Sequence, residues 1–296
     1  MISAKEAVDR VAALRRMLRP CRLCPRRCKV DRLAGERGFC GAGPEAAVAS
    51  AGPHFGEEPC LVGSGGSGTI FLAGCNLGCA FCQNDDISRS AAGEELDAAG
   101  LARLALGLEA RGCENINFVT PTHVAPAVAA AIVEARTKGL CVPVVWNSSG
   151  YESVEMIRLL EGLVEIYMPD FKFNLSASAE RYSRAADYPE AAREVLREMH
   201  RQVGDLVVEH GVARRGLLVR HLVMPGGAEE GKAIMDFLAS LSPATYVNVM
   251  GQYRPAADVV DRKRRGRLAA IARRPTPDEI AAVRYHAIGL GLRLAE

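Results

Sequence analysis

From residue 69 onward, short apolar runs alternate with longer amphipathic stretches. Runs rich in Val, Ile, Leu, Phe or Tyr predict buried strands at 69–73, 115–119, 142–146, 164–168, 217–223 and 245–250. Helical periodicity lies between and after them, at 98–110, 124–137, 151–161, 178–203, 228–240 and 277–291. Strands that alternate with helices favour a parallel sheet with right-handed crossovers. Because six such units are too few for a closed eight-stranded barrel, the pattern predicts an α/β fold, a partial (β/α)6 TIM-like barrel.

The chain before the first predicted strand has a different pattern. A capping box begins an amphipathic helix over 3–18, and no long periodic stretch follows it between 19 and 68. The Gly-rich end of this stretch lacks the Lys-Ser/Thr of a phosphate-binding loop, so we interpret it as a flexible lead-in to the first strand. The expected organisation is an N-terminal helix with a Cys-rich metal-binding segment at 1–66 and the barrel at 67–296.

Composition and charge narrow the possible classes of protein. The chain has 296 residues, of which 49% are hydrophobic, and a formal net charge of +2. This charge gives no global preference for nucleic acid or a membrane surface, and no apolar run reaches the roughly 18 residues of a membrane helix. No N-terminal signal is visible, and seven of the ten cysteines fall in metal-ligand spacings. We therefore expect a cytoplasmic protein without a membrane or nucleic-acid partner.

Three cysteines directly after the first predicted strand carry the clearest chemical signal. Cys75, Cys79 and Cys82 have the spacing Cys-x3-Cys-x2-Cys. Three thiolates this close can ligate three irons of a [4Fe–4S] cluster and leave the fourth iron open to bind and reduce a ligand. The alternatives are a zinc knuckle or a group of buried cysteines, but structural zinc usually takes four ligands. The position also agrees with the rule that such barrels carry their chemistry at the carboxyl ends of the strands.

Polar residues recur at the ends of the other predicted strands. The candidates for cofactor contacts are Thr122, Asn147, Asp170, Lys172 and Arg220. Asp170 and Lys172 are two residues apart on a strand, so their side chains should point to the same side. Each polar residue taken alone can also be an ordinary loop cap, and the recurrence at several strand ends is what favours a site.

Several other titratable residues have less specific patterns. His123 and His221 lie near strand ends, where they can transfer protons, bind substrate or serve as structural donors. Cys113 and Cys141 precede the second and third strands, opposite the expected chemistry, and we interpret both as small apolar packing residues. Cys60 is left out of the predicted metal sites.

A second group of cysteines lies in the N-terminal segment with the spacing Cys-x2-Cys-x3-Cys-x11-Cys, formed by Cys21, Cys24, Cys28 and Cys40. Four thiolates can close a coordination sphere. Zinc would make a structural clip, whereas a second [4Fe–4S] cluster would add an electron relay or a substrate site. The spacing is not a double CxxC, which favours the cluster. The segment is also basic, which suits a negatively charged cluster, a docking face or a solvated surface.

With both cysteine groups placed, the chain resembles the radical S-adenosylmethionine superfamily, and within it a group labelled pyruvate formate-lyase activating enzyme-like. The matching motifs include CRLCPRRC at 21–28, HFGEEP at 54–59, NFVTPTH at 117–123, MPDFK at 168–172 and MGQYRP at 250–255. Two departures stand out. The frequent Gly-Gly-Glu after the second strand is replaced by Thr120-Pro-Thr122, and small activating enzymes lack the N-terminal cysteines.

The resemblance implies an activity, a cofactor and partners. Cys75, Cys79 and Cys82 would hold the catalytic cluster, and Phe81 would pack near the adenine of S-adenosylmethionine. Reductive cleavage would give a 5′-deoxyadenosyl radical that abstracts hydrogen from a protein or peptide. The implied partners are an electron donor such as flavodoxin or ferredoxin, and a glycyl radical enzyme or other protein substrate.

Two alternatives stay open at this stage. One is radical modification of a small metabolite or an RNA base, which requires a covered barrel mouth rather than the wide mouth that an exposed glycyl loop needs. The other is a non-catalytic iron–sulfur electron carrier or metal-stabilised binding protein, which would not turn over S-adenosylmethionine.

Overall fold

The computed structural model describes residues 2–90, 92–261, 263 and 265–295. The strands in this part of the chain are β1 (Ala46–His54), β2 (Ser67–Leu72), β3 (Glu94–Leu96), β4 (Ile116–Val119), β5 (Val144–Ser148), β6 (Ile166–Pro169), β7 (Val207–Glu209), β8 (Val212–Leu222), β9 (Tyr246–Met250) and β10 (Arg293–Leu294). The α-helices are α1 (Ala4–Arg16), α2 (Pro59–Val62), α3 (Asp85–Ser88), α4 (Ala98–Ala110), α5 (Ala125–Thr137), α6 (Val154–Leu159), α7 (Ser176–Ser183), α8 (Tyr188–Val203), α9 (Ala228–Leu241) and α10 (Pro277–Gly289). Short 3-10 helices lie at Arg32–Ala34, Thr122–Val124, Ala257–Val259 and Arg265–Ile271.

The strands form a mixed sheet around a parallel centre. Their order is β10-β9-β8-β6-β5-β4-β2-β1-β3, and β7 pairs with β8. All neighbouring pairs from β2 to β10 along this path are parallel. The six predicted strands correspond to β2, β4, β5, β6, β8 and β9, which are consecutive in the sheet. The path ends at β3 and β10, so the predicted partial (β/α)6 barrel is confirmed.

Side chains on the parallel strands alternate between a helix-covered face and the inside of the barrel. On β5, Val144 and Trp146 belong to the main core, whereas Val145 belongs to a second apolar core. Asn147, the next inward residue, lines a cavity at the carboxyl end of the strand. The inner face therefore changes from apolar to polar along the strand, and the barrel opens where it becomes polar.

A short helix packs into the barrel just before the Gly-rich stretch that leads into β2. Cys60 and Leu61 of α2 are buried in the second core with apolar side chains of β5, β6 and β8. Asn115, just before β4, donates from Nδ2 to the Leu61 carbonyl at 2.7 Å. Helix α2 therefore fills the end of the barrel where the strands begin. A four-residue helix has no periodicity that a sequence pattern can show.

Strand β1 was also not expected, because its sequence AAVASAGPH is rich in residues with low strand propensity. It pairs with β2 antiparallel, from Val48↔Leu72 to His54↔Ser67, and β3 pairs antiparallel with β1. Tertiary pairing rather than local preference makes these residues a strand. The sheet therefore continues into the segment that precedes the predicted barrel.

The predicted helix over 178–203 is two helices. Helix α7 ends at Ser183 and is followed by Arg184, which has φ 51°, and α8 has Pro189 in its first turn. A left-handed residue and a proline five positions later both interrupt helical geometry. By contrast, the last helix begins as predicted, with Thr276 and Glu279 forming a capping box.

One apolar core connects the N-terminal segment with the barrel. It runs from Ala7 in α1 to Leu292 near β10. Cys113 is buried in this core as predicted, but Cys141 is exposed and its thiol bonds to the Gly139 carbonyl, so the packing role predicted for Cys141 is wrong. No helix in the described ranges is both long and apolar enough to cross a membrane.

Candidate active site

A cavity of about 290 Å³ lies at the carboxyl ends of the parallel strands. Its wall includes residues from β2, β4, β5, β8 and β9 and from the loops that follow β2 and β6. Among the residues that line it are Cys75, Cys79, Phe81, Cys82, Thr120, Asn147, Ser148, Asp170, Lys172, Arg220 and Gln252. The structure therefore brings together most of the residues that were predicted from separate strand ends.

The three thiols of this cavity each accept one hydrogen bond. The donors are the Leu77 N–H for Cys75 at 3.4 Å, the Ser183 hydroxyl for Cys79 at 3.5 Å and the Ser88 hydroxyl for Cys82 at 3.3 Å. Hydrogen bonds to ligating sulfur orient the ligands and tune a cluster. This donor set fits three thiolates that are held for a metal cluster.

Burial controls the charge of these thiols in the metal-free protein. It raises the pKa of Cys79 to about 12, although Lys172 acts in the opposite direction, and it also raises the pKa of Cys75. Both thiols are therefore protonated at neutral pH until a metal displaces the proton. Loading of the site should accordingly release protons and depend on pH.

Asp170, Lys172, Arg220 and Asn147 form one buried polar network in the cavity wall. The Asp170 carboxylate accepts from Lys172 Nζ at 2.6 Å and from Arg220 Nε at 3.0 Å. Arg220 also donates from Nη2 to Asn147 Oδ1 at 2.7 Å. Burial alone would raise the pKa of Asp170, but Lys172 and Arg220 outweigh it and lower that pKa. The ion pairs are therefore charged at neutral pH.

Two acidic residues that the sequence analysis did not select complete this network. Glu57 Oε2 lies 3.4 Å from Arg220 Nη1, and Glu58 Oε1 accepts from Asn248 Nδ2 at 2.8 Å. The other Glu58 oxygen is buried without a partner. Because three carboxylates face two cations, the network has one excess negative charge when all are ionised. Both residues belong to the motif HFGEEP, but no local sequence pattern indicates that this motif enters the barrel.

Phe81 and Thr122 occupy different positions relative to the cavity. Phe81 lines it and packs edge-on against Phe173 and Tyr253, with ring centroids 6.1 and 5.9 Å away. Thr122 is fully buried outside the lining, contrary to its predicted contact with a cofactor. The reason is local: Thr120 has φ 61° and turns the chain after β4, so Thr120 takes the place in the wall.

Thr122 instead belongs to a buried group around Glu152. The Glu152 carboxylate accepts from the Thr122 hydroxyl at 2.9 Å, the Trp146 indole at 2.8 Å and the Ser148 hydroxyl at 2.7 Å. Burial raises the pKa of Glu152 despite these three donors. Since Ser148 also lines the cavity, Glu152 braces the wall from behind.

His123 and His221 have structural surroundings. His123 Nε2 lies 2.8 Å from the Ala73 carbonyl, and His221 Nδ1 lies 2.8 Å from the Phe171 carbonyl. Burial lowers the pKa of each to about 4, so both imidazoles are neutral at pH 7. Neither lines the 290 Å³ cavity, which favours the structural role.

The four N-terminal cysteines line a second pocket, of about 10 Å³, that they share with Arg32, Asn76 and His123. Asn76 belongs to the loop whose residues Cys75 and Leu77 line the large cavity. The loop that carries Cys75, Cys79 and Cys82 is therefore a wall between the two pockets. Among the described residues, no three or more His, Cys, Asp or Glu side chains are arranged around a single-ion position. Each cysteine group is defined instead by the pocket that its members line.

Glycines allow the two cysteine segments to approach closely at this wall. Gly74 has φ 85°, and a Cβ there would lie 3.0 Å from the Cys40 carbonyl oxygen. Gly78 has φ 67°, and a Cβ there would lie 2.8 Å from the Phe39 ring. Both the backbone conformation and the space therefore require glycine.

Residues 61–175 match the model of a family described as a 4Fe-4S single cluster domain. The matched range includes Cys75, Cys79 and Cys82, together with the strand ends at Asn147 and Asp170. The N-terminal cysteines lie outside it.

Two solved structures are similar over part of the fold. One is the radical S-adenosylmethionine methyltransferase TsrM from Kitasatospora setae, with cobalamin and a [4Fe-4S] cluster bound: 17% identity, TM-score 0.47, covering 62% of this chain and 36% of that chain. The other is the cobalamin-dependent S-adenosylmethionine radical enzyme OxsB with aqua-cobalamin bound: 12% identity, TM-score 0.41, covering 76% and 31%. This chain spans about a third of the length of either protein. At these scores neither alignment assigns an activity.

A curated relative is similar over most of both chains. The uncharacterized protein MJ0674 of Methanocaldococcus jannaschii is 33% identical over 256 residues, which cover 83% of this chain and 69% of the relative. On this similarity, the chain belongs to the same protein family as MJ0674.

Proposed function

We propose that this protein is a radical S-adenosylmethionine enzyme of the pyruvate formate-lyase activating enzyme-like type. It would cleave S-adenosylmethionine reductively and abstract hydrogen from a protein or peptide substrate. The observation that carries the proposal is that Cys75, Cys79 and Cys82 line the same cavity as the network of Asp170 and its partners. Three thiols leave one iron of a cubane cluster without a protein ligand, and the network lies beside them.

The residues present fit the proposed groups. Each of the three thiols has its own hydrogen-bond donor, and the matched family model is that of a 4Fe-4S domain. When bound, the cluster and S-adenosylmethionine supply a single electron and the radical that removes hydrogen from the substrate. The excess negative charge of the network around Asp170 favours a ligand with a cationic group such as a sulfonium.

The residues of the network would bind and orient the cofactor. Lys172 uses one of its three N–H donors on Asp170 and can offer another to a carboxylate. Asp170 is fixed from two sides by Lys172 and Arg220, so it does not reorient when a ligand enters. Phe81 presents an aromatic ring that is held by two neighbouring rings and is suited to stack on a flat base.

The size of the cavity supports a large substrate that approaches from outside. At about 290 Å³, the cavity is at the lower end of the range for ligand sites, so the cofactor itself would fill it. A substrate would then reach the reacting atom at the mouth, as an exposed peptide segment can. A small reducing protein such as flavodoxin or ferredoxin is the proposed electron donor, and a glycyl radical enzyme is one candidate substrate.

Turnover of the reconstituted protein tests the proposal. After anaerobic loading with iron and sulfide and reduction with dithionite, the wild type should convert S-adenosylmethionine to 5′-deoxyadenosine and methionine, measured by chromatography. Cys79→Ala should abolish the products, because the cluster loses a ligand. Cys113→Ala is the matched control, since Cys113 is buried in the main core away from both pockets. Equal product from the Cys79→Ala variant, or none from a fully loaded wild type, would overturn the proposal.

A further inference from the structure

Arg32 is buried in the pocket of the N-terminal cysteines, with 1% of its surface exposed. It donates from Nη1 to the His123 carbonyl at 2.6 Å and from Nη2 to the Gly43 carbonyl, and Nη1 lies 4.0 Å from Cys21 Sγ. Its Nε has no partner. None of these contacts, in the part of the chain that the structure describes, is to a carboxylate.

A buried cation without an anion is strongly destabilising. The groups that can supply negative charge here are the thiols of the same pocket. In the described chain, Arg32 contacts two carbonyl oxygens and the Cys21 sulfur, so the arginine has no anionic partner unless these sulfurs carry charge. Metal binding changes this, because a coordinating thiol is deprotonated.

We propose that Cys21, Cys24, Cys28 and Cys40 hold a second metal centre whose negative charge is partly balanced by Arg32. Four thiolates around a zinc ion or a doubly charged iron–sulfur cluster carry two excess negative charges. Either group would therefore supply the negative charge that the buried Arg32 lacks.

The pocket has further features of a built site. The Phe39 N–H donates to Cys28 Sγ at 3.4 Å. A Cβ at Gly38 would lie 2.9 Å from that sulfur, so only glycine leaves room for it. The pocket has about 10 Å³ of free space, far less than the cavity of the three-thiol site. The centre is therefore closed, in contrast to the three-thiol site.

The second centre would support the loop that carries the catalytic thiols. Arg26, between Cys24 and Cys28, donates to the Asn76 carbonyl at 3.1 Å and to the Leu77 carbonyl at 3.0 Å. Asn76 itself lines the N-terminal pocket. A metal that fixes the segment at 21–28 therefore also fixes the position of Cys75 and its neighbours.

Metal analysis can test the site independently of catalysis. In a variant with Cys75, Cys79 and Cys82 all changed to Ala, purified without oxygen, about one zinc or about four irons per chain should remain. Zinc would identify a structural ion and iron a cluster, and either supports the proposal. Changing Cys21, Cys24, Cys28 and Cys40 to Ala as well should remove the metal, whereas adding Cys60→Ala and Cys113→Ala to the triple variant should retain it.

Absence of stoichiometric metal from the triple variant, after supply of zinc or of iron and sulfide, would overturn the proposal. If that variant does not fold, the wild type decides: a total of about four irons and no zinc leaves nothing for a second centre. Neither readout depends on cleavage of S-adenosylmethionine, so this proposal can fail while the proposed function stands.

The role of Arg32 has its own test, which is the release of metal to a chelator. Arg32→Met should speed release from the N-terminal site about tenfold or more, and Arg32→Lys should restore part of the retention. Arg32→Met should lower the stability of the metal-bound protein, but it should leave the stability of the apoprotein unchanged or raise it, because it also removes a buried cation that lacks an anion. Equal responses would mean that Arg32 only bonds the two carbonyls, and charge balance would be refuted.

Discussion

The two cysteine pockets lie on opposite sides of one loop but differ in almost every property that decides chemistry. The large cavity has three thiols, a volume of about 290 Å³ and cations that are paired with carboxylates. The N-terminal pocket has four thiols, about 10 Å³ and a buried arginine with no carboxylate among its contacts in the described chain. Where charge is already paired and space is free, a ligand can enter and react. The cation without an anion and the small free volume of the N-terminal pocket are the features on which the proposed second metal centre rests.

The largest expected effect comes from breaking the paired charges of the cavity. Asp170→Ala should lower the free energy of unfolding by about 3–5 kcal/mol, because it leaves Lys172 and Arg220 buried without their shared partner. Chemical denaturation of the metal-free protein measures this. Asp236→Ala is the control, since Asp236 is exposed and its ion pair with His286 should contribute less than about 1 kcal/mol. Equal losses from both variants would contradict the network described here.

Removal of Lys172 separates cofactor binding from stability. Asp170 keeps its contact with Arg220 in Lys172→Met, so the fold should survive while one charge-assisted hydrogen bond to the ligand is lost. Affinity for S-adenosylmethionine should fall by about 1.5–3 kcal/mol, or roughly 10- to 150-fold, by calorimetry on the cluster-loaded protein.

Lys138→Met, at a half-exposed ion pair at the C-terminal end of α5, should bind like the wild type. An unchanged affinity of Lys172→Met for S-adenosylmethionine would mean that Lys172 has only a structural role. The large cavity would then no longer differ from the N-terminal pocket in offering charged groups to a ligand.

Acid should lower the stability of the folded protein through two buried histidines, one beside the N-terminal pocket and one behind the large cavity. His123 borders the N-terminal pocket and His221 lies behind the cavity, and both have a pKa of about 4 against about 6.5 when unfolded. The unfolded chain therefore takes up protons first, and stability falls as the pH decreases from about 6.5 to 4, by up to about 1.4 kcal/mol per pH unit for each histidine.

Glu152 and Glu57 act in the opposite direction, since burial raises the pKa of both in the folded state. Comparing the pH dependence of the unfolding free energy between the wild type and histidine variants isolates the contribution of the histidines. His123→Gln and His221→Gln should each reduce the slope of unfolding free energy against pH below 6.5 and leave it unchanged above 7. A wild-type slope in both variants would refute the buried neutral state.

The smallest effect concerns the wall between the pockets. Gly78→Ala places a methyl group 2.8 Å from Phe39 at φ 67°, which should cost about 1–2 kcal/mol of stability and loosen both cysteine pockets. Gly107→Ala, on the exposed side of α4 with open space around it, should instead stabilise the protein by about 0.5–1 kcal/mol. Thermal unfolding shows whether each substitution destabilises or stabilises the protein. An unchanged stability in Gly78→Ala would mean that the loop at 75–82 and the segment around Phe39 are not in tight contact.

The parts of this molecule that sequence could predict depend on local or repeated signals. Cysteine spacing places three thiols in one loop, and polar residues at successive strand ends meet because parallel strands end at one edge. Asn147, Asp170, Lys172 and Arg220 line one cavity for this reason. Thr122 lies outside the cavity lining, and Thr120, which has φ 61° and turns the chain after β4, lines the cavity instead.

Other parts depend on contacts that no local pattern encodes. Strand β1 is a strand only because β2 pairs with it, and α2 is too short for a periodic signal. Glu57 reaches Arg220 across 163 positions of the sequence. Buried acidic residues in a segment without periodicity look like solvated loop residues until the barrel surrounds them. The exposure of Cys141 likewise depends on which strand end reaches the surface.

The position of Glu57 and α2 inside the barrel has a consequence for synthesis of the protein. These residues leave the ribosome before any of the parallel strands that enclose them, and Arg220 is translated 163 residues later. At elongation rates of about 5–20 residues per second, the segment waits roughly ten seconds or more for its partner. Truncation at residue 66 would not yield an intact barrel lacking an accessory segment, because it would remove the floor of the cavity.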